Sequence, residues 1–215
     1  MNLAGMIDHT LLKPDATEKD IVKLCHEAKQ YQFATVCVNG SYARTASKIL
    51  HGTGIGVAVV VGFPLGATLT EIKVAEVFAA KAHGAREIDM VMNIGWAKSG
   101  DWEAVEKDIV RVVEAAHCCG VVVKVIIETS LLTEEEKHQA AEIVKHSGAE
   151  FIKTSTGFAG GGATVEDVRN LKAWVGEGVK VKASGGIRTR ELALQLVEAG
   201  AERIGASAGI ELIKE

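Results

Sequence analysis

Three ionisable residues, Asp89, Lys153 and Lys182, stand inside short segments that are otherwise rich in valine, isoleucine and methionine. A lysine amine becomes a nucleophile at neutral pH when burial or a neighbouring cation lowers its pKa. Two lysines in one apolar interior would supply both conditions, and a carboxylate beside them could carry protons. These residue types therefore indicate a nucleophilic amine with acid–base partners.

The segments around these residues have the composition of β-strands, in which side chains alternate between two faces. Ile88 and Met90 share one face of their segment, which places Asp89 on the other. In the same way, Ile152 and Thr154 share a face, which places Lys153 opposite to them. Val179 and Val181 are expected to face the helices, so Lys180 and Lys182 are expected on the opposite face. We expect the charged residues to point away from the helices and into a shared interior.

Each lysine taken alone has a simpler interpretation, because lysines near strand ends often extend to solvent with a structural counter-ion beside them. The three residues together favour chemistry instead. Asp89 and Lys153 each follow a helix-ending glycine, Gly84 or Gly148, by five residues. This shared spacing predicts that the two side chains reach the same height.

The elements that would position these residues alternate regularly along the whole chain between strand-like and helix-like patterns. Eight strand–helix units result, the number found in a (β/α)8 barrel. The predicted strands are 6–8, 35–38, 57–62, 87–92, 122–128, 150–154, 179–183 and 202–206. The predicted helices are 17–31, 41–51, 70–83, 101–118, 133–147, 164–175, 189–199 and 209–214.

Alternation alone does not show that the sheet closes, so an open doubly wound sheet is the alternative. The first strand–helix unit lacks the Gly-x-Gly-x-x-Gly pattern of dinucleotide-binding folds. A repeated pattern, a helix-ending Gly-Ala followed by a strand, occurs at 83–89, 147–153 and 199–205. We therefore predict an α/β protein with a single TIM-barrel domain over residues 1–215, with the charged residues at the carboxyl ends of its strands.

Three loops rich in glycine or hydroxyl residues follow the last predicted strands, at 154–157, 184–189 and 205–209. Glycine allows the backbone to approach a ligand closely, and barrels often bind phosphate at the loops after strands seven and eight. Each loop alone is weak evidence. Together, beside the lysines, they predict a phosphate site.

Composition excludes several other classes of protein. With 24 Lys and Arg against 28 Asp and Glu, the formal net charge is −4, so no broad positive surface for nucleic acid or anionic membranes is expected. No apolar run approaches the length of a membrane span. The four cysteines, at 25, 37, 118 and 119, lack the spacing of disulfides or a zinc site, which predicts reduced thiols in a cytoplasmic protein. No metal site is expected among the histidines.

Five motifs identify a family, namely DHTLLKPD (8–15), VVVGFPLG (59–66), EIDMVMN (87–93), FIKTSTG (151–157) and KASGGIR (182–188). Through them the sequence resembles the deoxyribose-phosphate aldolase family of class I aldolases over nearly its whole length. By this resemblance Lys153 is the Schiff-base lysine, and Lys182 and Asp89 tune it and move protons. The family cleaves 2-deoxy-D-ribose 5-phosphate to acetaldehyde and D-glyceraldehyde 3-phosphate in the cytoplasm, with neither metal nor cofactor.

Phe158 and Ala208 stand where some members of the family have a basic residue and a second serine. Phosphate binding is therefore expected to depend on the residues of the three loops. Three further residues are candidates for supporting roles. They are a carboxylate that could hold Lys182 or be purely structural, a hydroxyl, and a cysteine that could line the acetaldehyde pocket, although a small buried apolar residue is its favoured interpretation. The expected phosphate residues are Gly157, Gly185, Gly186, Arg188, Gly205 and Ser207, and the supporting residues are Asp8, Cys37 and Thr154.

Two other functions fit the same residues. A phosphosugar isomerase or epimerase would use lysine and aspartate as acid and base without forming an imine. A regulatory barrel would bind phosphate without turnover, which leaves the two inward lysines without a purpose. The resemblance favours the aldolase, with a phosphorylated sugar and an aldehyde as its ligands, neither nucleic acid nor membrane as a partner, and a homodimer or homotetramer as the assembly.

Overall fold

The computed structural model describes residues 2–214, so the two terminal residues of the predicted domain lie outside the described residues. Eight parallel strands pair in chain order, and the last pairs with the first, which closes the barrel and rules out the open sheet. Asp8 on the first strand is the register partner of Gly205 on the last. The strands are β1 (Ile7–Leu11), β2 (Thr35–Val38), β3 (Gly56–Val61), β4 (Glu87–Val91), β5 (Val122–Ile126), β6 (Phe151–Lys153), β7 (Lys180–Ser184) and β8 (Ala201–Ala206).

Helices connect the strands and cover the outside of the barrel. Thr17 and Thr133 begin two of them with reciprocal capping boxes, as expected of a threonine followed three residues later by an acidic residue. Short 3-10 turns occupy Ala4–Met6, Gly40–Tyr42 and Thr129–Leu131. The α-helices are α1 (Glu18–Tyr31), α2 (Ala43–Leu50), α3 (Thr70–Ala82), α4 (Ile94–Lys98), α5 (Trp102–Cys118), α6 (Glu134–Ser147), α7 (Val165–Val175), α8 (Arg190–Glu198) and α9 (Gly209–Ile213).

Most element ends shift by one or two residues from the prediction, and two elements differ by more. The first strand begins at Ile7 and continues to Leu11, because the 3-10 turn precedes it. Asp8 is therefore near the start of its strand, not at its end. The helix α4 was missed because its five residues are too few to show a helical period. Within residues 2–214, no helix is both long enough and apolar enough to cross a bilayer.

The apolar core lies mainly between the barrel and the helices. Outward residues such as Val36, Val59 and Ile88 belong to one large cluster of buried side chains. A second, small apolar cluster has inward members, with Val60 in register beside Asp89. It comprises Leu12, Cys37, Ala58 and Val60, with Phe63 packed against them. The rest of the barrel interior is strongly charged.

Candidate active site

One buried carboxylate, that of Asp89 on β4, contacts three lysines on the next three strands. Its Oδ2 atom lies 2.7 Å from Lys153 Nζ and 2.7 Å from Lys182 Nζ, and its Oδ1 atom lies 2.9 Å from Lys124 Nζ. Burial alone would raise the pKa of Asp89, but the three lysines hold it well below its ordinary value. Asp89 is therefore a carboxylate that holds three amines in one place.

Lys153, on β6, is the lysine that reaches the open end of the barrel. Its side chain lines a cleft of about 410 Å³, whereas Lys182 and Asp89 are fully buried and do not line it. Burial lowers the pKa of Lys153, the cation of Lys182 lowers it further, and Asp89 only partly opposes them. The amine on the floor of the cleft thus gives up its proton more readily than an ordinary lysine does.

Lys182, on β7, has the opposite electrostatic balance. Burial opposes its charge, but two carboxylates outweigh this effect and raise its pKa above the ordinary value. Its Nζ lies 2.5 Å from Asp8 Oδ2 as well as 2.7 Å from Asp89. The expected contact with Asp8 is present, and it holds Lys182 as a cation.

Lys124, on β5, is a member of this cluster that the sequence analysis missed. Its Nζ lies 2.9 Å from Asp89 and 2.5 Å from Glu87 Oε2, and the side chain is fully buried. The alternation that turned Lys182 inward applies equally here, because Lys124 stands between two outward valines. That signal was available in the sequence.

The expectation of an apolar barrel interior is wrong. Arg203 on β8 lies 2.7 Å from Asp8 and 3.3 Å from Glu87, so cations and carboxylates alternate around the interior. Lys180 belongs to the same row as Lys182 but lies exposed at the other end of the barrel, 5.6 Å from the ring of Phe151. Burying a charge is costly without a partner of opposite sign. Each buried lysine of the cluster accordingly lies beside at least one carboxylate.

The cleft above Lys153 brings together all of the predicted phosphate residues. Their backbone N–H groups are well suited to an anion: within residues 2–214, those of Gly157, Gly185, Gly186 and Ser207 donate no hydrogen bond. Free amide donors in a glycine-rich turn are a common anion site. The cleft is lined by Gly157, Gly185, Gly186, Arg188, Gly205 and Ser207, among other residues.

The loop 160–162 supports this site from behind. A Cβ at Gly162 would lie 2.4 Å from the carbonyl oxygen of Gly185, so only glycine allows the two loops to pack this closely. The amide of Ala163 donates to the carbonyls of Ser184 and Gly185 at 3.1 Å. The loop therefore fixes the position of the phosphate-sized turn.

Gly205 has a steric role besides lining the cleft. A Cβ there would lie 3.0 Å from Lys182 Cε and 3.0 Å from Ser184 Cβ. The absence of a side chain thus leaves room for Lys182 to pass toward Asp8 and Asp89. Gly205 is a spacer for the buried lysine.

The remaining predicted residues, Cys37 and Thr154, are buried near the cluster. Cys37 Sγ lies 3.9 Å from Asp89 Oδ2, and burial, with Asp89 beside it, raises the pKa of this thiol to about 11. The hydroxyl of Thr154 donates to the carbonyl of Ser184 and accepts from its amide, both at 3.1 Å. Thr154 therefore joins β6 to β7 and does not line the cleft.

A neighbouring cavity of about 550 Å³ lies between β1, α1 and α9. It is lined by His9 and Glu27, whose side chains are 2.7 Å apart, and by none of the residues of the lysine cluster. The smaller cleft is the candidate active site because Lys153 and the glycine-rich loops both line it.

Comparison with known proteins links this arrangement to aldolases. The family model described as DeoC/LacD family aldolase matches residues 3–213. A deoxyribose-phosphate aldolase of Desulfitobacterium hafniense is 79% identical over 213 residues, which cover 99% of this chain and 98% of the relative. One from a Thermoanaerobacter species is 55% identical over 216 residues, covering 100% of this chain and 97% of the relative.

Solved structures agree with the sequence comparison. The deoxyribose phosphate aldolase of Aeropyrum pernix, described as having a unique tetrameric structure, superposes with a TM-score of 0.92 at 36% identity. The alignment covers 98% of this chain and 88% of that one. An aldolase named QR15 gives a TM-score of 0.93 at 41% identity, covering 98% and 93% of the two chains.

Proposed function

This chain belongs to the DeoC/LacD family of aldolases and is an aldolase, and we propose that it cleaves 2-deoxy-D-ribose 5-phosphate reversibly to acetaldehyde and D-glyceraldehyde 3-phosphate through a Schiff base on Lys153. The observation that carries the proposal is the position of Lys153: of the three lysines around Asp89, it is the one that lines the cleft. Burial lowers its pKa, with Lys182 adding to the effect, so its neutral form can attack a carbonyl.

The reaction begins when the neutral amine of Lys153 adds to the C1 aldehyde of the open-chain sugar. Loss of water gives an iminium ion. A base removes the proton of the C3 hydroxyl, the C2–C3 bond breaks, and its electron pair moves into the iminium to form an enamine. D-Glyceraldehyde 3-phosphate leaves, C2 of the enamine is protonated, and water hydrolyses the imine to release acetaldehyde and the free amine.

Asp89 and Lys182 are the proposed proton carriers, acting through a water molecule because neither side chain lines the cleft. Asp89 Oδ2 lies 2.7 Å from both Nζ atoms, so a proton can pass between the two lysines through one carboxylate oxygen. Lys182 is held as a cation by Asp8 and Asp89 and serves as the proton reservoir. Lys153 alternates between free amine and imine.

The phosphate group is proposed to bind the free amides of the glycine loops. Because the iminium ion accepts the electrons of the broken bond, no metal is needed, and treatment with a chelator is expected to leave the cleavage rate unchanged. Loss of activity that a divalent cation restores would contradict this. A cytoplasmic location and a homo-oligomeric assembly belong to the same proposal, the latter supported by the tetramer described for the A. pernix relative.

The test is reductive trapping. The protein is incubated with acetaldehyde and borohydride, digested, and mapped by peptide mass spectrometry, in parallel with a Lys153→Ala variant. We expect one added ethyl group on the peptide that contains Lys153 and none on the variant. An isomerase would give no adduct at Lys153 and would release no acetaldehyde from the sugar phosphate. An adduct on Lys182 or Lys124 would reassign the nucleophile.

A further inference from the structure

Glu128, just beyond the end of β5, has an unusual backbone and an unusual environment. With φ 57° and ψ 67°, it is one of two non-glycine residues with a left-handed backbone among residues 2–214. Such a conformation costs energy for any residue that has a Cβ atom. The residue is also 1% exposed, although it carries a carboxyl group. Both features require compensation by the surrounding contacts.

The side chain of Glu128 makes its hydrogen bonds with a single residue. Its Oε2 atom accepts from the backbone amide of Thr156 at 3.1 Å and from the Thr156 hydroxyl. Within the described part of the chain, its Oε1 atom has no hydrogen-bond partner, and no cation forms an ion pair with it. A buried carboxyl group is costly without hydrogen-bond partners. The two hydrogen bonds from Thr156 therefore offset the cost of burying Glu128 and hold Thr156 in place.

Thr156 passes this constraint to the next two residues. Since its hydroxyl proton is donated to Glu128, the hydroxyl oxygen accepts from the amide of Phe158, at 3.0 Å. The turn closed in this way has Gly157 at its tip, with φ 84°, and leaves the amide of Gly157 without a partner in the described residues. Gly157 lines the same cleft as Gly185 and Gly186.

We propose that Glu128 is a positioning residue for the phosphate group of the substrate, acting through Thr156 to hold the 156–158 turn with the Gly157 amide directed at the anion. The inference rests on the proposed function, because it assumes a phosphorylated substrate in this cleft. Glu128 does not line the cleft and touches no reacting atom. It determines affinity for the phosphate end of the sugar and leaves the chemistry at Lys153 unaffected.

The experiment compares the kinetics of Glu128→Ala and Glu128→Gln with 2-deoxyribose 5-phosphate and with unphosphorylated 2-deoxyribose. For Glu128→Ala we expect KM for the phosphorylated sugar to rise about tenfold, the effect of losing one hydrogen bond to a charged group. Its kcat, the KM for the free sugar, and the rate of acetaldehyde trapping should change less than about threefold. Glu128→Gln retains an acceptor oxygen for Thr156 and should behave like the parent protein.

Glu150→Ala is the matched control, because Glu150 also accepts a backbone amide of a neighbouring strand, that of Val123 at 2.8 Å. It lies at the opposite end of the barrel, just before β6, and its loss should leave both KM values unchanged. An equal loss of activity toward both sugars in Glu128→Ala, or failure of Glu128→Gln to restore the low KM, would overturn the inference.

Thr156 variants test the relay if Glu128→Ala does not fold. Thr156→Val removes the hydroxyl and should raise KM for the phosphorylated sugar selectively, whereas Thr156→Ser should not. Where Glu128→Ala folds, combining it with Thr156→Val should raise KM for the phosphorylated sugar no further than Glu128→Ala alone, because both residues act on one turn. Additive effects would overturn the inference. If the unmodified protein fails to cleave the sugar or to trap acetaldehyde, the proposed function fails instead.

Discussion

The Nζ atoms of Lys153 and Lys182 each lie 2.7 Å from the same atom, Oδ2 of Asp89. The two amines differ in what else they contact. Lys182 has a second carboxylate, Asp8, at 2.5 Å, whereas Lys153 opens onto the cleft. The pKa of Lys182 is therefore raised and that of Lys153 is lowered. This asymmetry supports the proposed roles of Lys153 as the nucleophile and of Lys182 as its protonated partner.

Replacing Lys182 with leucine should slow trapping at Lys153 without abolishing it. The cation of Lys182 contributes to the lowered pKa of Lys153, so its removal raises that pKa and moves the pH dependence of imine formation to higher pH. The measurement is the rate of acetaldehyde–borohydride labelling across a pH series. Lys180→Leu, on the same strand but exposed, is the control and should keep the original profile. An unshifted profile in Lys182→Leu would contradict the assignment.

Replacing Lys124 with methionine should destabilise the protein more than removal of a surface lysine. The loss leaves Glu87 and Asp89, which Lys124 contacts at 2.5 and 2.9 Å, short of one buried cation. Removing one partner of a buried ion pair costs about 3–5 kcal/mol in the free energy of unfolding. Urea denaturation measures this quantity.

Lys107→Met is the control for Lys124→Met, since Lys107 pairs with Glu103 on an exposed face of α5, where ion pairs contribute little. Equal denaturation midpoints for the two variants would show that the interior charges are not coupled as described.

Replacing Gly186 with aspartate should weaken binding of the phosphorylated sugar. A Cβ at this position meets no atom within 4 Å, and the backbone has φ 73°, which aspartate and asparagine tolerate better than other residues. Gly186→Asn has the same shape and the same backbone cost, so the difference between the two variants isolates the charge. We expect KM for deoxyribose 5-phosphate to rise at least about tenfold more in Gly186→Asp than in Gly186→Asn. Equal KM values would place the phosphate elsewhere.

Replacing Gly205 with alanine should displace Lys182 and lower kcat. The new methyl group would lie 3.0 Å from Lys182 Cε, closer than side chains normally approach. We expect slower acetaldehyde trapping and a pH profile shifted in the same direction as that of Lys182→Leu. In Gly178→Ala the methyl group meets no atom within 4 Å, so this variant should match the parent protein. Normal trapping in Gly205→Ala would show that the added methyl group does not displace Lys182.

The closed barrel and the approach of Asp89 to Lys153 followed from local patterns in the sequence. Hydrophobic alternation determines which face a strand residue occupies. The count of eight units, the repeated Gly-Ala pattern and the lack of a dinucleotide-binding motif together favoured closure. Lys124 had the same inward signal as Lys182, but it lies in the middle of its strand, away from the strand ends where barrel chemistry is expected. Its partners Asp8 and Glu87 lie on other strands, and alternation within one strand does not specify the register between strands.

Two other features could not be read from the sequence for physical reasons. The contact between Glu128 and Thr156 joins loops 28 residues apart and arises from a left-handed backbone at a residue that does not favour one. The tight packing of Gly162 on Gly185 is a tertiary contact, whereas a run of three glycines in sequence is equally consistent with a flexible loop. Both depend on how neighbouring loops meet after the barrel has closed.

The order of the interior charges along the chain has a consequence for biosynthesis. Its carboxylates come first, Asp8, Glu87 and Asp89, and its cations follow in the second half, at Lys124, Lys153, Lys182 and Arg203. The segment β1–β4 alone would thus bury negative charge with no cation of this cluster to balance it, and the half that follows would carry the opposite excess. Neither half balances its interior charges alone. The surroundings that lower the pKa of Lys153 are therefore complete only when the last strands have left the ribosome. A fragment of the barrel would therefore lack the activated amine.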